Sequence, residues 1–330
     1  MAEGCILCDE SPPKIISHSS VYSSRQIFSL ILPCFHQANP LRCHCMSRCQ
    51  DCSHCRLEFP TSLPECPHCG LPRLFPNVAE ARGEQADLLK RYDSAIHAAR
   101  RSGTESAVGR FENLASKSFA VTNRPLAFVS ELADVTSIFA TYYKKRDGGM
   151  LIPQGEKWER LRGSADEFFF QRTKDEIRFA ALSCDGVGLT SYGECTMVFG
   201  EHFIAHRTSL FETNTARFLD RGGIYRPGQS SAIPPGLRST WEDRGKLATA
   251  KLASKITAAT TDAEFPALLL SPGATSDDDE FIEAHIFGPL TIRSFANVTL
   301  PKASRRFPAS AIKGLAQKLA KLNIPPKTTP

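Results

Sequence analysis

Two groups of residues in this 330-residue chain have the types and spacing for chemistry. The first is Cys52-x2-Cys55-x10-Cys66-x2-Cys69, followed by Gly70. Two CxxC knuckles at this separation can close a tetrahedral four-thiolate zinc site. A glycine after the second knuckle lets backbone N–H groups turn toward the thiolates. The second group is the stretch from Asp277 to Pro289, DDDEFIEAHIFGP. Its alternation puts Phe281, Glu283 and His285 on one face of a strand and Ile282, Ala284 and Ile286 on the other. A carboxylate in so apolar a strand is costly unless it has a partner or a task. Glu283 is therefore expected to enter a cleft. The alternative is a half-exposed strand whose Glu283 and His285 face water.

Ten of the twelve cysteines fall in the first 69 residues, and only Cys184 and Cys195 lie beyond. The N-terminus, MAEGCILCDE, lacks the basic-then-apolar order of a secretory signal. Without export a disulfide framework is not expected, and clustered CxxC pairs point to metal. Cys5 and Cys8 form another knuckle, Cys34 and His36 a mixed pair, and Cys43, His44, Cys45 and Cys49 add further donors. The order Cys5/Cys8, Cys34/His36, Cys52/Cys55, Cys66/Cys69 resembles a RING finger, which implies two cross-braced zinc ions. A RING leaves only a short gap after its histidine, whereas fifteen residues separate His36 from Cys52. A zinc ribbon with extra ligands is at least as good a reading. In either case the zinc is structural, since a closed ligand shell leaves no open position for water.

A second resemblance joins two blocks of the C-terminal half. One is Tyr192-Gly193-Glu194 leading to Ala205-His206-Arg207-Thr208-Ser209-Leu210-Phe211, and the other is Phe281 to Pro289. Together they resemble mono-ADP-ribosyltransferase toxin-like proteins. They are more closely similar to a microbial group with a Tyr-Gly…Arg-x-Thr-Phe block and a late Ile-Glu-Ala-x-Ile-x-Gly-Pro block. The resemblance covers roughly residues 185–300 and is strongest at 281–289. It implies a split β-sheet that binds NAD as substrate, with Glu283 stabilising the positive charge that develops on the ribose. It also implies Arg207 on the diphosphate, since a guanidinium fork matches phosphate, and Thr208 and Ser209 positioning the ribose or its strand. His206 is the alternative ribose contact, and Tyr192 and Tyr225 are the aromatic candidates for the nicotinamide. Strict alternation puts His206 and Thr208 on one face and Arg207 and Ser209 on the other. Phe281 stands where arginine-modifying transferases carry Glu or Gln, which turns the expectation toward nucleic-acid bases or other protein side chains as acceptor. A structural ion pair between strands is the alternative account of Arg207 and Glu283.

The elements that must position these residues divide the chain in three. Residues 1–72 are the zinc module. Residues 73–149 read as a helical connector, with Asn77 capping a helix over Val78–Arg101, then Glu105–Phe119, then a helix from Ser130 through Ile138 to Tyr143. Residues 150–330 read as an α+β domain: a helix over Trp158–Phe170, a strand over Glu176–Ser183, and a hairpin of Glu194–Phe199 with Phe203–Ser209. After these come a helix over Trp241–Ile256, strands at Leu268–Leu270, around Glu283 and over Leu290–Leu300, and a basic helix capped by Ser310. The expected fold class is α+β, with an antiparallel sheet and helices in the last domain.

Composition is that of a globular protein, 42% hydrophobic and 23% charged. No apolar run approaches the ~20 residues of a spanning helix, so no membrane partner is expected and a soluble intracellular protein is. The net charge of +5 is uneven. From Val298 onward there are Lys302, Arg305, Arg306, Lys313, Lys318, Lys321 and Lys327 and no acidic residue. Such a tail favours an acidic partner, or is a solvated face. The functional expectation is an ADP-ribosyltransferase-like enzyme acting on a nucleic acid or protein acceptor. A RING-type ubiquitin ligase and a non-catalytic zinc-ribbon nucleic-acid-binding protein are the alternatives.

Overall fold

The structure, a computed structural model, describes residues 49–51, 57–60, 65–70, 74–134, 137–222, 233–275 and 278–328. The proposed zinc ligands Cys5, Cys8, Cys34, His36, Cys52 and Cys55, and also Tyr225, lie outside the described residues. β1 (Cys49–Asp51) and β2 (Glu58–Pro60) form an antiparallel pair closed at Asp51 and Glu58. The rest of the described chain runs α1 (Pro76–Gly83), α2 (Gln85–Arg101), α3 (Glu105–Ala115), β3 (Phe119–Arg124), α4 (Leu126–Leu132), α5 (Tyr142–Asp147), α6 (Lys157–Phe170) and β4 (Ile177–Ser183). Then come β5 (Cys195–Phe199), α7 (Glu201–Ile204), β6 (Thr208–Phe211), α8 (Thr215–Gly222), β7 (Arg238–Thr240), α9 (Arg244–Leu252), α10 (Phe265–Leu269), β8 (Glu283–Phe287), β9 (Phe295–Leu300), α11 (Ala309–Lys321) and β10 (Pro326–Thr328).

Eight strands make one mixed sheet in the order β10-β9-β5-β3-β4-β8-β6-β7. Every pairing is antiparallel except that of β9 with β10. The α+β expectation therefore holds at the level of a mixed α/β fold, but the sheet is a single layer and no split into two is seen among the described residues. Both faces are covered by helices. Ile282, Ala284 and Ile286 join the larger core with Leu88, Phe111, Leu247, Phe265 and Leu319 from α2, α3, α9, α10 and α11. On the opposite face Ile177 and Phe211 pack against Phe169 of α6 and Leu219 of α8. The alternation read around Glu283 is thus correct, with a packed face on each side. Among the described residues no helix is long and apolar enough to cross a membrane.

Several local readings differ from the structure, each for a physical reason. The connector segment contains β3, the strand between β5 and β4. Ala120, Val121, Thr122 and Asn123 are buried on both faces, so they carry no alternation to read. The expected hairpin of Glu194–Phe199 with Phe203–Ser209 does not form: β5 and β6 are separated by β3, β4 and β8. The chain leaves β5 at Gly200, whose N–H bonds Ser294 O at 2.9 Å, and winds through α7, burying Ile204 in the core. Leu268 and Leu269 belong to α10, led by Pro266 in its first turn, rather than to a strand. The third expected helix is broken into α4 and α5, with Ile138 bridging to Thr291 between them.

Asn77 does not cap the first helix. It is buried inside α1 and its Nδ2 donates to Arg207 O (3.2 Å), Ser209 Oγ (3.2 Å) and His285 O (2.8 Å). It ties α1 to β6 and β8, the strand that starts at Glu283. The helix read over Val78–Arg101 is interrupted at Glu84, whose carboxylate turns to Gly236 N (2.9 Å) and to Arg238, the first residue of β7.

Candidate active site

Glu283 opens β8 opposite Ala181 of β4 and Phe211 of β6. This register aims its side chain at the face covered by α6 and α8. It is 2% exposed and fully hydrogen-bonded. Oε1 accepts from Arg162 Nη2 at 2.8 Å; Oε2 accepts from Thr215 N at 2.9 Å and Thr215 Oγ1 at 2.7 Å. His285, 1% exposed, places Nε2 3.2 Å from the same Oε2. A carboxylate only accepts, so this His285 nitrogen carries the proton. Burial alone pushes the Glu283 carboxyl up, but Arg162, His285 and Thr215 outweigh it and hold the group down at about 2. Burial pushes His285 below its ordinary range, so it is a neutral donor at pH 7.

Thr215 is delivered to this position by the start of α8. Asn214 Oδ1 accepts from Ala216 N (2.9 Å) and Arg217 N (3.1 Å), satisfying the first turn's free donors. The Thr215 N–H is left for Glu283. Arg162 is fixed from several sides: its guanidinium carbon lies 3.7 Å from the centre of the Phe179 ring, Nη1 donates to Thr215 Oγ1 at 3.0 Å, and Nε is 3.3 Å from Asp166 Oδ1. Asp166 accepts from Tyr143 Oη at 2.9 Å. Burial pushes the Asp166 carboxyl up to about 6, against the pull of Arg162 and Tyr143.

Glu283 borders a cavity of about 400 Å³, the size of ordinary small-ligand sites. Its walls carry Arg124, Arg162 and Arg217 as well as Trp158, Tyr192 and Phe281. Against the three guanidinium groups the lining offers one carboxylate, Glu283. Arg217 is buried; Nη1 donates to the Asp279 carbonyl, and Nη2 has a 3.4 Å contact with Glu280. Arg124 Nη1 donates to its neighbour's carbonyl, Asn123 O, at 2.8 Å, and its guanidinium lies over the rings of Phe139 and Phe128. No carboxylate among the described residues is ion-paired with Arg124. Burial first, and the nearby Arg162 second, pull its pKa down to about 10, so it remains a cation at pH 7. The cavity therefore has the charge of an anion site and aromatic surfaces beside it.

Of the residues singled out from sequence, Tyr192 and Glu283 meet at this cavity; Tyr192 is 39% exposed and stands edge-on to Phe281. The block around Arg207 goes elsewhere. Arg207 donates to Phe203 O (2.8 Å), Phe287 O (3.1 Å) and Pro289 O (3.0 Å), pinning the far end of β8. His206 packs against Phe75, Thr208 Oγ1 donates back to Ile204 O, and Ser209 Oγ accepts from Asn77. The cations at the cavity are instead Arg162, Arg124 and Arg217. The sequence held one sign of the first: Trp158, Arg162 and Asp166 recur every fourth residue, so they share a face of α6. Arg124 and Arg217 carried no such sign.

No protein-family model matches the chain, and no curated protein matches it.

Proposed function

We propose that this cavity binds NAD and that the protein is an ADP-ribosyltransferase-like enzyme passing ADP-ribose to a macromolecular acceptor. The observation that carries the reading is a carboxylate, 2% exposed and held ionised, at an arginine-rich cavity with aromatic walls. In the reaction the bond from ribose C1′ to the nicotinamide nitrogen breaks and its electron pair leaves with neutral nicotinamide. The ribose becomes cationic, and the Glu283 carboxylate stabilises that charge at a fixed position. An acceptor nucleophile then bonds to C1′ and releases its proton. Arg162 keeps Glu283 ionised and oriented. Arg124 and Arg217 suit the diphosphate, and Tyr192, Trp158 and Phe281 offer faces for the nicotinamide.

Structural zinc belongs to the same proposal. Cys66 and Cys69 lie on one tight turn, with Cys66 buried, closed by Gly70 N donating to Cys66 O at 2.9 Å, and Gly70 takes φ +68°. That turn, and a strand pair bracketing Cys52 and Cys55, fit the knuckles of a zinc ribbon.

The test is nicotinamide release from NAD by wild type and by Glu283→Gln, which removes the charge and keeps the shape. Loss of about 100-fold or more in the variant supports the reading. Absence of release by wild type, with nucleic acid and cell lysate supplied as acceptors, rejects it.

A further inference from the structure

A second groove adjoins the cavity. It measures about 680 Å³ and runs between the Thr190–Glu194 loop, Pro125 and the segment Pro301–Phe307. Tyr192 lines both spaces. They meet because Gly193 lies directly on the backbone of Arg124 and Pro125. A Cβ at Gly193 would stand 2.2 Å from the Arg124 carbonyl carbon, and the residue takes φ +140°, so only glycine permits this approach. Asn123 Nδ2 donates to Gly193 O at 3.0 Å and holds the loop there.

The groove is basic and aromatic. Lys302 and Arg306 are exposed on its wall, and neither is ion-paired among the described residues. The Arg306 guanidinium lies 5.1 Å from the centre of the half-buried Phe307 ring. Ser304 and Phe307 exchange backbone hydrogen bonds of 2.9 and 3.1 Å, so this turn is preformed. The one acid in the lining, Glu194, accepts from Leu126 N at 2.8 Å. A cationic track thus leads from Lys302 and Arg306, past Tyr192, to Arg124 inside the cavity.

We propose that this groove binds single-stranded nucleic acid, with Lys302 and Arg306 on its phosphates and Phe307 and Tyr192 stacking on its bases. Backbone charge with interleaved flat rings is the pattern that holds single strands. An acidic peptide would use the cations but has no use for the rings. Tyr192 also lines the cavity, so a strand stacked on it lies beside the proposed NAD site. Delivery of one of its nucleosides to Glu283 rests on the reaction proposed above; binding in the groove does not.

The test uses the full chain and fluorescence anisotropy with labelled oligothymidylate, its duplex with oligoadenylate, and oligoglutamate as competitor. Wild type is expected to bind the single strand more tightly than the duplex. Lys302→Ala with Arg306→Ala is expected to weaken the single strand about tenfold and to reduce the salt slope by about 1.4, from two phosphate contacts at about 0.7 each. Lys313→Ala with Lys321→Ala, on the exposed face of α11, is expected to stay within about twofold of wild type. A 5-iodouracil-substituted strand is expected to crosslink to Tyr192 or Phe307, which keeps the test open if a variant folds poorly. No binding by wild type at low salt overturns the proposal. So do equal losses in the two double variants, crosslinks elsewhere, or displacement by oligoglutamate as readily as by the oligonucleotide. If the strand binds and crosslinks here while wild type releases no nicotinamide, the groove stands and the reaction reading falls.

Discussion

Arg162 Nη2 stands 2.8 Å from Glu283 Oε1 although 121 residues separate them in the chain. The two side chains join α6 to β8, and their contact turns a buried carboxylate from a liability into a fixed charge. Removing one member of such a pair leaves the other buried and uncompensated. Arg162→Ala is therefore expected to destabilise the fold by about 3–5 kcal/mol, measured by urea unfolding at pH 7. A cost below about 1 kcal/mol would show that water reaches Glu283 freely.

Stability should depend on pH through two buried acids acting in opposite directions. Glu283 is depressed from 4.5 to about 2, so its contribution is full above pH 4.5 and is lost as pH falls toward 2. Asp166 is raised from 3.8 to about 6, so its contribution is full below pH 3.8 and is lost as pH rises through 6. Unfolding titrations of Glu283→Gln and Asp166→Asn against wild type separate the two. The Glu283→Gln deficit should shrink between pH 4.5 and 3, and Asp166→Asn should flatten the fall in stability between pH 4 and 7. Parallel pH curves for all three proteins would refute both assignments.

Arg124 separates ligand binding from fold. It has no carboxylate partner among the described residues, and burial disfavours its charge. Arg124→Ala should leave the melting temperature close to wild type while weakening ADP-ribose at least about tenfold, the equivalent of one charge-assisted hydrogen bond or more. Calorimetric titration decides it, and an unchanged affinity would remove Arg124 from the phosphate site.

One zinc per chain should depend on Cys66. Cys66→Ser breaks a knuckle of the proposed four-thiolate site, so total metal should fall by one zinc per chain relative to wild type. Metal analysis of the purified proteins also distinguishes a ribbon, which holds one ion, from a cross-braced RING, which holds two, one on Cys5, Cys8, Cys52 and Cys55 and the other on Cys34, His36, Cys66 and Cys69.

Part of this site was legible without coordinates. The alternation from Phe281 to Ile286 fixed which face Glu283 shares, because side chains on a strand alternate whatever their partners. The turn from Cys66 to Gly70 was equally local: a positive φ after Cys69 asks for glycine. Trp158 to Phe170 was legible as a helix from its repeating apolar face.

What lay outside the reach of sequence was the pairing order. β3 has no polar face to betray it, and only the sheet shows that it lies between β5 and β4. β5 and β6 resemble a hairpin in sequence, yet they do not pair: β5 lies between β9 and β3, and β6 between β8 and β7. Which arginine meets Glu283 follows from that order. Arg207 lies in the block expected to hold the diphosphate but ends on backbone carbonyls at the far end of β8, while Arg162 arrives from α6. Local periodicity determines the direction of a side chain; a partner across the sheet is chosen by the burial of whole faces, and that is settled only when the chain packs.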